Sequence, residues 1–277
     1  MTEEPNPQRI LVKYGGNAMT DEDTRARVLD DVVNLHTAGH RVVLVHGGGP
    51  AIAEILEEVS IESEFVGGHR RTDHRAMRYV QMALRGRVNA DLVRILVGKG
   101  VSAVGLSGKD AGMVVATRRV HRDPLDPSAV AVDLGQVGDV ARVQTTLLDL
   151  LLDNDHLPVV APIALGEDGQ DYNVNADVFA GHVAAALRTD VFIALTDVDG
   201  LRRDPADAGS VVRRANRAEI EGMIGTSIQG GMIPKIDACL HALDGGVPRA
   251  HIIDGTQEGS LHAAVARDPQ RGTEITP

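Results

Sequence analysis

The 277-residue chain has no tryptophan, and its three phenylalanines and three tyrosines bring aromatic content to only 2 %. A core must therefore be filled by Val, Ile, Leu and Ala, the composition of buried parallel strands covered by helices. Positive charge is also scarce: 28 Lys and Arg against 39 Asp and Glu give a formal net charge of −11. Nucleic acid and anionic membranes both call for a basic footprint, so neither is expected as a partner. An anion has to be held by a few placed cations and by backbone N–H groups. The single cysteine, Cys239, excludes an intramolecular disulfide and fits a reducing compartment. No apolar run approaches the ~20 residues of a membrane span. The acidic, Pro-containing start MTEEPNPQR lacks the apolar stretch of a secretion signal. The chain reads as soluble and cytoplasmic. Two nucleotide fingerprints are missing as well, the G-x-x-x-x-G-K-[ST] loop and a G-x-G-x-x-G turn opening a helix, so an ordinary P-loop enzyme is not expected. Gly108-Lys109 supplies the lysine without the first glycine at the required spacing.

What is present is an alternation of short apolar runs with amphipathic stretches. Strands are expected at residues 10–14, 41–46, 101–106, 158–163, 191–196 and 250–253. Helices are expected at 21–38, 50–59, 72–86, 87–98, 175–188 and 234–243, with Pro50 well placed at a helix start. This is the β-α-β-α order of a parallel sheet with helices on both faces. Residues 112–143 break the pattern with short β-like pieces expected to form hairpins, and 202–210 reads as a surface loop. The expected boundary falls at residues 166–172, dividing an N-terminal lobe (1–170) from a C-terminal lobe (171–277).

Three glycine-containing turns follow strand candidates: Lys13-Tyr14-Gly15-Gly16-Asn17, Gly47-Gly48-Gly49-Pro50 and Asp197-Val198-Asp199-Gly200. In an open parallel sheet, ligands collect beyond the carboxyl ends of the strands, where glycine lets backbone N–H groups approach an anion. Strand-to-helix turns also favour glycine for purely conformational reasons. The triplet before Pro50 is the more specific signal, because three glycines cost backbone entropy and add no packing.

Seven segments together resemble the amino acid kinase family: VKYGGNAM, VHGGGP, AVGLSGKD, NVNAD, LTDVDGL, GGMIPKIDACL and GGVPRAHIIDG. They occur in the family's order, span nearly the whole chain and have the look of its actinobacterial members. The resemblance implies a three-layer α/β/α sandwich around a mostly parallel sheet, with the amino-acid substrate in the N-terminal lobe and ATP in the C-terminal one. It implies phosphorylation of the side-chain carboxylate of N-acetyl-L-glutamate, with Mg²⁺ carried by the nucleotide. No His/Cys/carboxylate cluster in the sequence suggests a protein-built metal site. A homodimer is expected. The first strand begins near Arg9, which leaves no room for the N-terminal helix of arginine-inhibited hexamers, and Ala264 replaces an acidic effector residue, so insensitivity to L-arginine is expected.

Such chemistry asks for no base, because a side-chain carboxylate with a pKa near ~4.3 is already ionised at neutral pH. It asks for positioning and for relief of charge repulsion, which lysines supply. By resemblance, Lys13 and Lys235 take that role and Asp177 organises them. Lone lysines are more often solvated, but Lys13 closes an apolar strand and faces a glycine turn. Asp177 also suits the first turn of a helix capped by Asn175, and both readings can hold together. Arg70 falls on the substrate arginine, beside His69 and Arg71, which depart from the usual hydrophobic residues. Arg71 either competes for that role or is surface charge. Gly48, Gly49, Asn173 and Asn175 complete the substrate side, and Gly15, Gly16, Thr196, Asp197, Gly200, Leu201 and Met232 the nucleotide side. His46 reads as a packed turn histidine. Two rival readings stay open: a kinase for carrier-bound glutamate or 2-aminoadipate, and a non-catalytic metabolite sensor.

Overall fold

The computed structural model describes residues 7–19, 21–121 and 130–277. The chain opens with β1 (Arg9–Tyr14), α1 (Glu22–Thr37), β2 (Arg41–His46) and α2 (Gly49–Glu58), then a small hairpin of β3 (Phe65–Val66) and β4 (His69–Arg70). A continuous helical run follows: α3 (His74–Gln81), a π-helical stretch (Met82–Asn89) and α4 (Ala90–Gly98), leading into β5 (Ala103–Ser107). Next come β6 (Val114–His121), β7 (Val132–Val143), α5 (Thr146–Asp153), β8 (Leu157–Ala161), β9 (Ile163–Gly166) and β10 (Asp171–Val174). The chain continues through α6 (Ala176–Leu187), β11 (Val191–Thr196), β12 (Leu201–Arg202), β13 (Val211–Val212), β14 (Arg214–Asn216) and α7 (Arg217–Met223). It closes with α8 (Ile233–Asp244), β15 (Ala250–Asp254), α9 (Ser260–Ala266) and β16 (Thr273–Thr276).

Eight strands form the main sheet in the order β14-β16-β15-β11-β1-β2-β8-β5. Neighbours are parallel from β15 to β5, β16 runs antiparallel to β15, and β14 runs parallel to β16. Side chains alternate between the two faces, as the period of a strand requires. Leu11, Val43, Val45, Phe192 and Ala194 join α5, α6 and α8 in one core. Ile10, Val12, Val42, Leu44, Val191 and Ile193 join α1, α4 and α9 in the other. This is the expected α/β/α sandwich. A smaller core under α2 and α3 gathers Ile52, Leu56, Met77, Val80 and Leu84.

The expected hairpins between residues 112 and 143 are β6 and β7, which pair antiparallel and close a four-stranded ladder with β9 and β10. The stretch around Pro124 and Pro127 lies outside the described residues. The expected loop at 202–210 is a turn closed by the β12–β13 ladder. Two expectations need correction. The strand expected at 158–163 ends at Ala161, because Pro162 has no N–H to give a ladder, and the chain re-enters the second sheet as β9. The two helices expected at 72–86 and 87–98 are one helical run. Gly86 does not break it; a π-helical stretch absorbs the irregularity and carries Asn89 into the interior.

Burial pushes the imidazoles of His46, His182 and His251 down to about 4. Each is thus depressed from an ordinary value of 6.5, so the stability each contributes is complete above pH 6.5 and is lost as pH falls towards 4. Denaturant titrations are expected to show stability falling through that window by up to about 1.4 kcal/mol per pH unit per histidine. His182→Gln, on the partly exposed stack with His241, is expected to make the slope shallower. An unchanged slope contradicts the assignment for His182.

Candidate active site

Lys13 sits one residue before the end of β1, and strand alternation turns it to the same face as Leu11, towards α6. There its Nζ lies 2.9 Å from Asp177 Oδ1. The other carboxylate oxygen, Oδ2, is 3.2 Å from Lys235 Nζ. One carboxylate therefore joins two lysines contributed by the sheet and by α8. Asp177 is held by the start of α6, where the Asn175 side chain accepts from the backbone N–H groups of Asp177 (2.9 Å) and Val178 (3.2 Å). The cap and the lysine bridge coexist. Lys235 is brought in by a close crossing of α6 and α8: a Cβ on Gly181 would stand 2.6 Å from the Ala238 carbonyl oxygen.

Lys13 and Asp177 are both buried, at 4 % and 7 % exposure. Burial draws the Lys13 amine below the ordinary lysine range; Asp177 opposes that shift and Lys235 adds to it. Burial alone would raise the Asp177 carboxyl, but the two lysines outweigh it and hold the group below the usual carboxylate range. The cluster keeps one positive charge in excess, so it is built to receive an anion.

A cavity of about 290 Å³ opens beside Lys235, lined by Gly15, Gly16, Thr196, Asp197 and Met232 among others. Gly15 leaves its near wall open, since a Cβ there would lie 2.9 Å from the Lys13 amino nitrogen. Gly16 turns the chain at φ +70°, a conformation that glycine adopts freely. Gly200 and Leu201 do not line this cavity. The Leu201 N–H donates to Thr273 Oγ1 at 2.8 Å, and the Leu201 side chain belongs to the core.

A second set of candidates is joined by hydrogen bonds around the Gly47-Gly48-Gly49 turn. Arg70 Nη2 donates to the Gly49 carbonyl at 3.3 Å, while Nη1 donates to Ser63 Oγ. The guanidinium lies 4.6 Å above the Phe65 ring. Thr72 Oγ1 donates to the Arg70 carbonyl at 2.8 Å, and the Asn173 amide reaches Thr72 Oγ1 at 3.5 Å. Arg71 points elsewhere, pairing with Glu64 at 3.0 Å on the surface. His46 is fully buried, as expected of a packed histidine.

Sequence reasoning weighed Lys109 only as a P-loop lysine and gave it no role at the site. Its Nζ donates to Gln81 Oε1 at 2.6 Å and lies 3.2 Å from Asp171. The signal was the Ser-Gly-Lys-Asp turn after β5, which matches the position of the other glycine turns at strand ends. Among the described residues no group of His, Cys, Asp and Glu is arranged to hold a metal ion.

Glycine turns and a lysine-bracketed carboxylate at the carboxyl edge of a parallel sheet define an anion-handling α/β protein. A model of the amino acid kinase family matches residues 8–254, and the chain belongs to that family. It is 44 % identical over 267 residues to an acetylglutamate kinase of Symbiobacterium thermophilum, covering 96 % of this chain and 90 % of that protein. It is 44 % identical over 268 residues to an acetylglutamate kinase of Frankia alni, covering 97 % of this chain and 77 % of that one. Among solved structures, smu.665 from Streptococcus mutans superposes with a TM-score of 0.75 at 30 % identity, over 96 % of this chain and 98 % of that one. A carbamate kinase from Giardia lamblia bound to AMP-PNP, at 19 % identity, has a TM-score of 0.68 over 98 % of both chains and shares the fold.

Asp177→Asn removes the shared counterion and leaves two amines facing each other in a buried site. A loss of stability on the order of 3 kcal/mol is expected in chemical denaturation. A variant as stable as the parent protein would show that the bridge contributes little to folding.

Proposed function

We propose that this protein transfers the γ-phosphoryl group of ATP to the side-chain carboxylate of N-acetyl-L-glutamate, forming N-acetyl-L-glutamyl 5-phosphate in arginine biosynthesis. The observation that carries the reading is the Lys13–Asp177–Lys235 bridge, in a chain about 40–44 % identical to acetylglutamate kinases over nearly its whole length. These relatives do not favour the rival of a carrier-bound substrate. Retention of both buried-site lysines speaks against a sensor that kept only the fold.

In this reading the acceptor carboxylate is already ionised and needs no general base. Lys13 and Lys235 offset the repulsion between two anionic reactants and the charge of the phosphoryl group in transfer. Asp177 holds their amino groups in place. Gly48, Gly49, Arg70, Asn173 and Asn175 hold the acceptor, with the Arg70 guanidinium suited to its α-carboxylate. Gly15, Gly16, Thr196, Asp197 and Met232 receive the nucleotide in the cavity beside Lys235. Gly200 and Leu201 shape the turn behind it. Mg²⁺ bound with the nucleotide would supply charge neutralisation on the phosphates. The acceptor is assigned mainly to the N-terminal lobe (1–170) and ATP mainly to the C-terminal lobe (171–277), with Asn173 and Asn175 reaching the acceptor and Gly15 and Gly16 the nucleotide from the other lobe; the main sheet runs unbroken across both through the β1–β11 pair. A cytoplasmic homodimer completes the proposal; among the described residues no helix is long and apolar enough to cross a membrane.

The test is ADP release with MgATP and four acceptors: N-acetyl-L-glutamate, L-glutamate, N-acetyl-L-aspartate and 2-aminoadipate. Turnover is expected with the first, and Lys13→Ala is expected to lower kcat by about 100-fold or more. Silence with N-acetyl-L-glutamate overturns the reading. The pH profile is a separate test. Lys13 acts protonated, so activity should fall as pH rises through its depressed pKa, placing the alkaline limb below the ordinary lysine value of 10.5. A profile flat to that value would remove Lys13 from the charged role.

A further inference from the structure

A fully enclosed polar cluster lies beneath the Gly47-Gly48-Gly49 turn. His46 and Asn89 are both 0 % exposed. The Asn89 amide nitrogen lies 3.0 Å from His46 Nε2 and 2.8 Å from the Val159 carbonyl, with the Leu106 carbonyl at 3.4 Å. Two carbonyl acceptors identify that atom as the NH₂, which has only protons to give, so His46 Nε2 must accept. The imidazole proton is then on Nδ1, and it is donated to the Gly47 carbonyl at 2.7 Å. Arg85 fixes the far side of the amide: Nη1 donates to Asn89 Oδ1 at 2.8 Å and Nη2 to the Gly105 carbonyl at 2.8 Å. Gly105 leaves the space, since a Cβ there would lie 2.3 Å from Asn89 Oδ1. Burial keeps the His46 ring neutral, pushing it down to about 4.

The π-helical stretch makes this possible. Leu84, five residues before Asn89, seats against Gly48, where a Cβ would come within 2.5 Å of Leu84 Cδ2. In an α-helix, residues five apart diverge by about 140° around the axis. The i→i+5 step of a π-helix brings them to one side. One face of the stretch thus touches the glycine turn directly through Leu84 and indirectly through Asn89 and His46.

We propose that Asn89 is a positioning residue: by donating to His46 Nε2 it holds the imidazole as the Nδ1–H tautomer, which clamps the Gly47 carbonyl and so aims the Gly48 N–H at the acceptor. The Gly47–Gly48 peptide is planar and trans, so the Gly48 N–H points opposite to the clamped carbonyl. This rests on the assignment of Gly48 and Gly49 to the acceptor site. The clamp sets the direction of one backbone donor without touching substrate.

The test joins steady-state kinetics to NMR of the Gly47–Gly49 amides and the His46 ring nitrogens, in Asn89→Asp and Arg85→Met. Asn89→Asp places a carboxylate against Nε2, draws a proton onto it and removes the enforced tautomer. Arg85→Met loosens the amide from a partly exposed position and serves where the buried variant does not fold. For Asn89→Asp, KM for N-acetyl-L-glutamate is expected to rise about tenfold with KM for ATP within about twofold, the scale of one misdirected hydrogen bond. Arg85→Met should move KM the same way by less. The Gly48 amide resonance and the His46 ring shifts should move together in both. A Gly48 amide that stays put while the His46 tautomer changes overturns the clamp, as do equal rises in both KM values. If the parent protein does not turn over N-acetyl-L-glutamate, the acceptor assignment fails, and the NMR readout alone decides whether Asn89 orients the turn.

Discussion

A buried lysine and a half-buried one face each other only with an anion between them, and that requirement organises this structure around Asp177. The carboxylate stands where α6 begins, so the helix must start at that residue's neighbour; Asn175 enforces this by capping two N–H groups. Lys13 reaches it because β1 is central, flanked by β2 and β11, and because strand alternation turns residue 13 to the α6 face. Lys235 reaches it because α6 and α8 cross closely at Gly181 and Ala238. Mutual neutralisation is incomplete by one charge. That imbalance suits a protein that handles anions despite a net charge of −11. Its cationic character is local and enclosed, so it discriminates by position where a basic surface would attract anions of every kind.

Much of this was legible from the chain. The central strands are uniform apolar runs, because both their faces are covered, and their ends are punctuated by glycine. Lys13, closing such a run, stood out as a cation with nowhere to be solvated. Asp177 and Lys235 were found by resemblance to a family, since neither a first-turn acid nor a helical lysine is distinctive alone. The short ladder of β12 and β13 and the antiparallel edge at β16 went unread, because two to four residues carry too little pattern. The α7 helix did have a signal, the Asn216–Glu219 capping box.

The π-helical stretch was not legible, and for a physical reason. Hydrophobic periodicity reports which side of a helix is buried, but a change of helical step alters that periodicity only slightly over eight residues. A glycine at 86 and a run of arginines at 85 and 87 looked like an end and a restart. The partners that make the wider step worthwhile, His46, Val159 and Gly105, are distant in sequence and belong to three separate strands. The same holds for the chain Asn173–Thr72–Arg70–Gly49, which joins β10, the β4–α3 connection, β4 and the start of α2, places that only the folded topology brings together.

The seam between α6 and α8 has a further consequence. It is closed at two points along its length, at Gly181 against Ala238 and at Gly245 against Ala185, where an added Cβ would lie 2.3 Å from the alanine methyl. Close approach at both places fixes the register of the two helices against each other, because any larger side chain at Gly181 or Gly245 would push them apart. The reach of Lys235 Nζ to Asp177, 3.2 Å, is thereby set by backbone packing as well as by the attraction between the charges.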